Sequence, residues 1–148
     1  MKSCYYLQFG DVILYKWLQK IGLTPNKTKR IGELKIPNRF FFDFLRGHFD
    51  GDGTCYSYWD KRWPNSHMFY LKFHASCKNH ILWLKLKIKH LSGSEGSLSK
   101  SGKNPIYHLI YAKKESKILF EKMYYKNDLP RLDRKYKKLK SILMTNEK

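Results

Sequence analysis

The sequence predicts an α+β fold in which helices alternate with pairs of antiparallel strands. Apolar residues recur at helical spacing in several segments, and strand-like segments come in pairs joined by turn residues. The 148 residues, 42% of them hydrophobic and 16% aromatic, are enough to bury a core. We expect residues 39–148 to form this domain, and residues 1–38 to form a partial strand–helix repeat followed by a basic connector.

Local signals at the ends of the segments justify each element. Asp11 can cap the first helix and Gly22 can end it, while Asn38 can cap the second helix. Gly93 ends the segment with the clearest helical periodicity. In chain order we predict a strand over 4–9, a helix over 11–22, the connector over 23–38, a helix over 39–50, strands over 54–63 and 67–76, a helix over 77–93, a hairpin over 95–112, a helix over 113–125 and a basic helical tail over 131–144.

Charge indicates the class of partner. Lys and Arg number 30 against 12 Asp and Glu, which gives a formal net charge of +18. Such an excess predicts a polyanionic partner, since Lys and Arg that neutralise phosphates release counterions. The sequence has no apolar run near the length of a membrane span and no signal-peptide pattern. With three scattered cysteines, we expect an intracellular protein, either cytoplasmic in a bacterium or organellar.

Part of the chain resembles another part of itself. Residues 5–22, moved forward by 102 positions, align without a gap on residues 107–124, and both segments have a strand–helix pattern. Each then leads through a proline to a basic stretch, with Lys27 in the first and Lys135 in the second. The alternative is a chance similarity between two aromatic strand–helix units. If the repeat is real, residues 4–35 correspond to the end of a first repeat.

The stretch "FLRGHFDGDGT", residues 44–54, places glycines and aspartates together at the end of an apolar helix. Gly47 and Gly51 lie four apart, so they share one helix face and would let a second backbone approach closely. Asp50 and Asp52 fall in the last turn, where carboxylates are electrostatically unfavourable. The placement calls for a cation, and hard oxygen ligands suit Mg²⁺.

Other interpretations of the motif are weaker. An EF-hand loop that begins at Asp50 would have Cys55 where glycine is required and Lys61 where glutamate is required. A plain helix cap explains the glycines but not the two acids. Elsewhere, His74, Cys77 and His80 have metal-like spacing but lack a second ligand pair for zinc.

The motif resembles the signature helix of the LAGLIDADG homing endonucleases, with residues 45–53 on the nine motif positions. The predicted order of motif helix, two strands, helix, two strands and helix is also similar to that family. So are the basic stretch "LPRLDRKYKK" and the segment "GLTPNKTKRIG", which resembles the join between repeats of two-motif members. The resemblance implies a curved antiparallel sheet backed by helices, and a site-specific DNA endonuclease of an intron or intein.

The resemblance also implies roles for individual residues. Asp52 would be the catalytic acid and, with the Gly51 carbonyl, would bind Mg²⁺ or another divalent cation, whereas Asp50 matches a more structural position. Lys135 and Lys27 would polarise the site and stabilise charge on the phosphate. Only one motif helix is present, so the second must come from a copy of this chain or from a partner chain. The implied interface of a homodimer consists of Phe44, Gly47, His48 and Gly51.

The predicted hairpins would lie on double-stranded DNA. Side chains alternate between the two faces of a strand, so half of them should face the DNA and half the helices. Tyr56 and Tyr58 should lie on the same face of one strand, and Lys72 and His74 on the same face of the next. The expected DNA-binding residues are Tyr56, Tyr58, Lys61, Arg62, Lys72, His74, Lys100 and Lys103.

Two other functions fit parts of the sequence. A nucleic-acid-binding module without nuclease activity, either an RNA splicing cofactor or the remnant of a two-motif endonuclease, would explain the single motif but not the intact Asp52. A ribosome-associated basic protein would explain only the charge. The sequence therefore favours the endonuclease.

Overall fold

A four-stranded antiparallel sheet, with helices packed on one of its faces, forms the protein. In the computed structural model, residues 7–63, 65–102 and 106–145 are described. No helix within these ranges is long and apolar enough to cross a membrane. The elements are α1 (Val12–Lys20), α2 (Phe41–Asp52), β1 (Thr54–Trp59), β2 (His67–Ala75), α3 (Lys78–Ser92), β3 (Ser97–Ser101), β4 (Ile106–Ala112), α4 (Lys113–Met123) and α5 (Asp133–Met144).

The strand order is β1-β2-β4-β3, and each neighbouring pair is antiparallel. Along β2 buried and half-buried residues alternate, which separates a helix-covered face from an open face. Phe69, Leu71 and Phe73 are buried beneath the helices. Tyr56 lies opposite Tyr70 on the open face. The predicted α+β fold, an antiparallel sheet backed by helices, is confirmed.

Aromatic packing fixes α2 against the sheet and against α3. Phe41 and Phe49 of α2 are fully buried. The Phe49 ring meets Phe73 of β2 at 6.1 Å between centroids, and the Phe41 ring meets Trp83 of α3 at 6.0 Å, both in edge-on geometry. Such pairs stabilise a core beyond the area that they bury. The apolar side of this helix therefore lies in the core.

Arg46 ties α2 to the chain that follows α4. Its guanidinium is buried and donates hydrogen bonds to the carbonyls of Met123 at 2.8 Å and Pro130 at 2.9 Å. It also pairs with Asp43 at 2.9 Å. A buried charge is tolerated only when its donors are satisfied, and here the arginine in turn satisfies a carbonyl at the end of α4.

Three predicted boundaries are wrong. The strand over 4–9 falls partly outside the described residues, and residues 7–9 are irregular. Asn38 does not cap α2 but begins a short 3₁₀ turn, and its side chain accepts a hydrogen bond from Lys87 Nζ at 2.8 Å. The strand predicted over 54–63 ends at Trp59, because Asp60 pairs with Arg62 and turns the chain.

The N-terminal segment is joined to the domain by its connector and not by its helix. In α1, Asp11 caps the N-terminus as predicted, with Leu14 N–H donating to its carboxylate at 2.9 Å. No residue of α1 is buried. Trp17 is 53% exposed, whereas Leu119, its counterpart in the internal repeat, is fully buried in α4. Leu34 of the connector belongs to the main core, so the boundary proposed at residue 38 stays a prediction.

Gly53 is expected to tolerate no side chain, unlike the exposed Gly47 in the same helix region. A Cβ at Gly53 would lie 2.7 Å from the backbone of Phe49, whereas a Cβ at Gly47 meets open space. Gly53→Ala should therefore lower the free energy of unfolding by about 1–3 kcal/mol. The matched variant Gly47→Ala should raise it by about 0.5–1 kcal/mol. Urea denaturation of dilute protein measures both, and equal stability of the two variants would contradict this packing.

Candidate nucleic-acid interface and active-site groove

The two aspartates of the motif have different surroundings. Asp50 accepts a hydrogen bond from the Leu132 N–H at 2.9 Å and one from the Tyr124 hydroxyl at 3.4 Å. It therefore holds the chain that leads into α5, as its match to a structural position implied. Asp52 is the last residue of α2 and its side chain is exposed. Asp52 is the carboxylate of the motif that remains open to a ligand.

Lys135 closes the carbonyl end of α2. Its ammonium donates to the carbonyl oxygens of Phe49 at 2.8 Å, Gly51 at 3.1 Å and Gly53 at 2.7 Å. Burial lowers the pKa of Lys135, while Asp50 and Asp52 act to raise it. A cation at this end of a helix opposes its dipole. The motif predicted a positive charge at this helix end and a divalent metal as its source. The Lys135 ammonium supplies part of that charge.

A groove of about 790 Å³ lies beside the end of α2, and we call it the Asp52 groove. Lys27 of the connector lines the same groove as Asp52, so the structure brings these two predicted site residues together. Lys135 does not line it, because its ammonium lies at the helix carbonyls. The side chains that give the groove its polar character are Lys27, His48, Asp52, His74, His80 and His108.

His48 is neutral and lacks a hydrogen bond partner for one ring atom. Its ring stacks on His80 at 5.6 Å and meets Phe44 edge-on at 6.0 Å. Its Nδ1 is buried without a hydrogen bond partner in the described structure. Burial first, and then the nearby His80, lower the pKa of His48 to about 4. The groove therefore contains a buried, neutral imidazole as well as the exposed carboxylate of Asp52.

Tyrosines and one lysine cover the part of the open sheet face near the β1–β2 turn. Tyr70 stacks on both Tyr56 and Tyr58, at 5.2 and 6.2 Å between ring centroids. The ammonium of Lys72 lies 4.6 Å from the centre of the Tyr56 ring. The prediction that Tyr56 and Tyr58 lie on the same face of the sheet is confirmed. Tyr70 lies with them, although it was not among the predicted DNA-binding residues. Alternation along β2 could have identified it, since Tyr70 shares parity with Lys72.

A hydrogen-bonded row crosses the sheet near the Asp52 groove. His74 and His108 face each other with Nδ1 atoms 2.6 Å apart. The outer ring nitrogen of His74 meets Thr54 Oγ1 at 3.0 Å, and that of His108 meets Ser101 Oγ at 2.9 Å. We name these four residues the histidine row. Of its members only His74 was predicted from the sequence, because strand register, which decides what stands opposite His74, has no local signal.

The remaining predicted DNA-binding residues are scattered. Lys61 and Arg62 lie in the turn after β1, and Arg62 is paired with Asp60. Lys100 lies opposite Tyr107, so its side chain belongs to the helix-covered face of the sheet and not to the open face. It is nevertheless exposed, because β3 is an edge strand. Lys103 lies outside the described residues. DNA contact by any of these stays a prediction.

One face of α2 carries two glycines that meet no other part of the described chain. Added Cβ atoms at Gly47 and Gly51 would meet nothing within 4 Å. Phe40, seven residues before Gly47, is half exposed. Phe44 is partly buried against Trp83, and His48 points into the Asp52 groove. We call Phe40, Phe44, Gly47 and Gly51 the glycine face.

The donor set at Asp52 suits a hard cation but is incomplete. The described residues contain no cluster of three or more His, Cys, Asp or Glu side chains that could hold a metal ion. Asp52 supplies one exposed carboxylate, and the Gly51 carbonyl already accepts from Lys135. Mg²⁺ is commonly held by one or two carboxylates together with phosphate oxygens of a substrate. The residues fit such a cation if phosphates and a second carboxylate join Asp52.

Stability should fall with acid because His48 stays neutral in the folded protein. As pH drops from about 6.5 towards 4, His48 binds a proton in the unfolded chain but not in the folded protein. The free energy of unfolding should fall by up to about 1.4 kcal/mol per pH unit from this group. Denaturation at pH 7, 6 and 5 measures the slope. His48→Phe should flatten it, and His90→Gln, at an exposed site, should not; an unchanged slope in His48→Phe would rule out His48 as the cause.

Comparisons with known proteins agree with this geometry at the level of the fold. No family model matches the sequence, and no curated protein does. Among solved structures, the homing endonuclease I-CvuI in complex with its target in the presence of Ca superposes with a TM-score of 0.56. The identity is 19%, over 74% of this chain and 68% of that chain.

A second structure of I-CvuI, in complex with the I-CreI target in the presence of Mg and with the DNA not cleaved, gives a TM-score of 0.53. The identity is again 19%, over 75% of this chain and 68% of that chain. At this identity the likeness concerns the fold. The sheet order, the helix layer and the single motif helix together give this chain the fold of the LAGLIDADG homing endonucleases.

Proposed function

We propose that this protein is a site-specific DNA endonuclease. The observation that carries the proposal is the position of Asp52: an exposed carboxylate at the end of a glycine-faced helix, beside an open polar sheet face. The fold that the chain shares with I-CvuI, a homing endonuclease solved with target DNA, supports it. The formal net charge of +18 provides the attraction to a polyanion.

Duplex DNA is proposed to lie on the open face of the sheet. This face carries hydroxyl, imidazole and phenol groups, which can donate to or accept from base edges in the major groove. Lys72 is held over the Tyr56 ring and keeps its ammonium near the plane of that face. Phosphate contacts position a protein on DNA while base contacts specify the sequence. The open face therefore carries the kinds of side chain that can recognise a DNA sequence.

Cleavage is proposed at Asp52. A divalent cation, when bound, supplies a water of lowered pKa and neutralises charge on the phosphate. Within the chain, the Asp52 carboxylate provides an oxygen ligand for the cation. Lys27 lines the same groove, and its ammonium can reach a phosphate there. Lys135 fixes the end of α2, and through it the position of Asp52.

A second motif helix is needed to complete the site, and we propose that a second copy of the chain supplies it. The glycine face leaves room for the close approach of another helix. Two-fold packing through this face would bring two Asp52 side chains together, which matches the approximate two-fold symmetry of a duplex. A partner chain with its own motif helix would meet the same surface.

The Asp52 carboxylate can be tested by a neutral substitution. Asp52→Asn should reduce cutting of a selected duplex by on the order of a hundredfold or more. DNA binding should be retained or strengthened, because a negative charge near the phosphates is removed. Asp128→Asn, at an exposed position in the loop after α4, serves as the matched control and should cut normally. Cleavage and binding assays on one duplex, with and without Mg²⁺, separate the two effects.

Two results would contradict the proposal in different ways. Wild-type rates for Asp52→Asn would remove the catalytic role of this residue. A wild-type protein that binds one duplex tightly and leaves it uncut with Mg²⁺, Mn²⁺ or Ca²⁺ would be a nucleic-acid-binding module without nuclease activity.

Assembly through the glycine face can be tested separately. Gly47→Leu should leave the monomer folded, because its side chain enters open space, but should prevent close helix approach. We expect the loss of both the dimer mass and cleavage. Light scattering with and without DNA measures the mass, and Lys114→Leu, an added leucine on the exposed side of α4, is the control. A Gly47→Leu protein with wild-type mass and activity would place the interface elsewhere.

A further inference from the structure

The histidine row contains four side chains, one from each strand of the sheet. Thr54 lies on β1, His74 on β2, His108 on β4 and Ser101 on β3. All four lie on the open face, and Thr54 and Ser101 at its ends are exposed. Three spacings between neighbouring strands separate the ends, or about 14 Å. The row therefore spans a distance similar to the width of the DNA major groove, about 12 Å.

The contact between the two imidazoles restricts where protons can lie. With the Nδ1 atoms of His74 and His108 2.6 Å apart, one of them must donate and the other accept. Two N–H groups would collide there, and two lone pairs would repel each other. A neutral imidazole has one N–H, so the outer nitrogen of each ring must play the opposite role to its inner nitrogen. The two rings consequently adopt opposite tautomers.

The surroundings of His74 favour its neutral form. Burial, and then the neighbouring His108 and Lys72, lower the pKa of His74. Asp52 acts in the other direction. A proton added to an outer ring nitrogen would leave the inner contact intact, but the hydroxyl at that end would then have to accept from the imidazolium N–H.

With both rings neutral, two arrangements of protons satisfy the whole row. In the first, Thr54 donates to His74, His74 donates to His108, and His108 donates to Ser101. In the second, every bond is reversed. The hydroxyl that donates into the row can only accept from outside, whereas the hydroxyl at the other end keeps its O–H and a second lone pair, so it can donate or accept. The two exposed ends therefore cannot both donate outward at the same time.

We propose that the histidine row couples the readout of two base positions, so that Thr54 and Ser101 cannot both donate to acceptor groups of bases. This inference rests on the proposed binding of DNA to the open face. It assigns a specificity role to His108, which transmits the restriction as a positioning residue without touching the DNA. The chemical class recognised is a pair of base edges in the major groove, of which at most one presents an acceptor to the row.

The test uses the full-length chain at pH 7.5 without divalent ions, so that binding is measured apart from cleavage. Selection from a randomised duplex library gives a parent site, and Thr54→Val and Ser101→Ala locate the two base positions. Dissociation constants are then measured for all sixteen base-pair combinations at those positions. Combinations that present acceptors to both Thr54 and Ser101 should bind about fivefold more weakly than the two separate base preferences predict, the effect of one hydrogen bond. The other combinations should follow the product of the separate preferences to within about twofold.

Variants distinguish coupling from independent contacts. His108→Phe should reduce this extra penalty to within about twofold, because each hydroxyl can then donate outward independently of the other. Ser101→Ala should relax discrimination at its own position and also at that of Thr54, an effect that loss of one contact would not produce. Ser97→Ala is the matched control on the same strand, since its hydroxyl bonds the Ile110 carbonyl at 3.5 Å and not the row.

The outcomes separate this inference from the proposed function. If all sixteen combinations, including the double-acceptor ones, follow the product of the separate preferences, the ends are independent and the coupling is overturned while site-specific binding stands. If the library enriches no sequence, site-specific binding itself fails and the coupling fails with it. An extra penalty for the double-acceptor combinations, lost in His108→Phe and kept in Ser97→Ala, supports the coupling.

Discussion

Helix α2 ends with three carbonyl groups that converge on the ammonium of Lys135, and this contact determines the position of everything near Asp52. Two carboxylates in the last turn of a helix oppose its dipole. The structure resolves the conflict by a division of roles. Asp50 turns towards the chain before α5, Lys135 covers the carbonyls, and Asp52 is left exposed. Because Lys135 belongs to α5, the last helix of the described chain must dock before the motif is complete.

The elements of the domain could be predicted from local signals, whereas the register between strands could not. Capping by Asp11, the stop at Gly93 and the periodicity of α3 are local features, and the structure places α1 and α3 within two residues of their predicted ends. The strand after Gly53 was predicted too long, because the alternation over residues 54–63 does not show that Asp60 pairs locally with Arg62 and turns the chain.

The candidate site shows the same division. The shared helix face of Gly47 and Gly51 followed from their spacing, and the choice of Asp52 over Asp50 as the site carboxylate followed from the resemblance to the family. The histidine row did not, because His74 and His108 are 34 residues apart and meet only through the β2–β4 register. The engagement of Lys135 with helix carbonyls was equally hidden, since a lysine in a basic stretch gives no sign of which carbonyls it will approach.

Helix α1 joins the rest of the molecule through few buried atoms. None of its residues is buried, while Leu34, twelve residues beyond Gly22, is held in the core. Local opening of a segment costs free energy in proportion to the contacts that it breaks, and segments with few such contacts open far more often than the whole protein unfolds. The molecule therefore consists of two regions of unequal kinetic protection. Amide hydrogens of α1 can exchange with solvent through local opening, while those of α2 and β2 exchange only when the core itself opens.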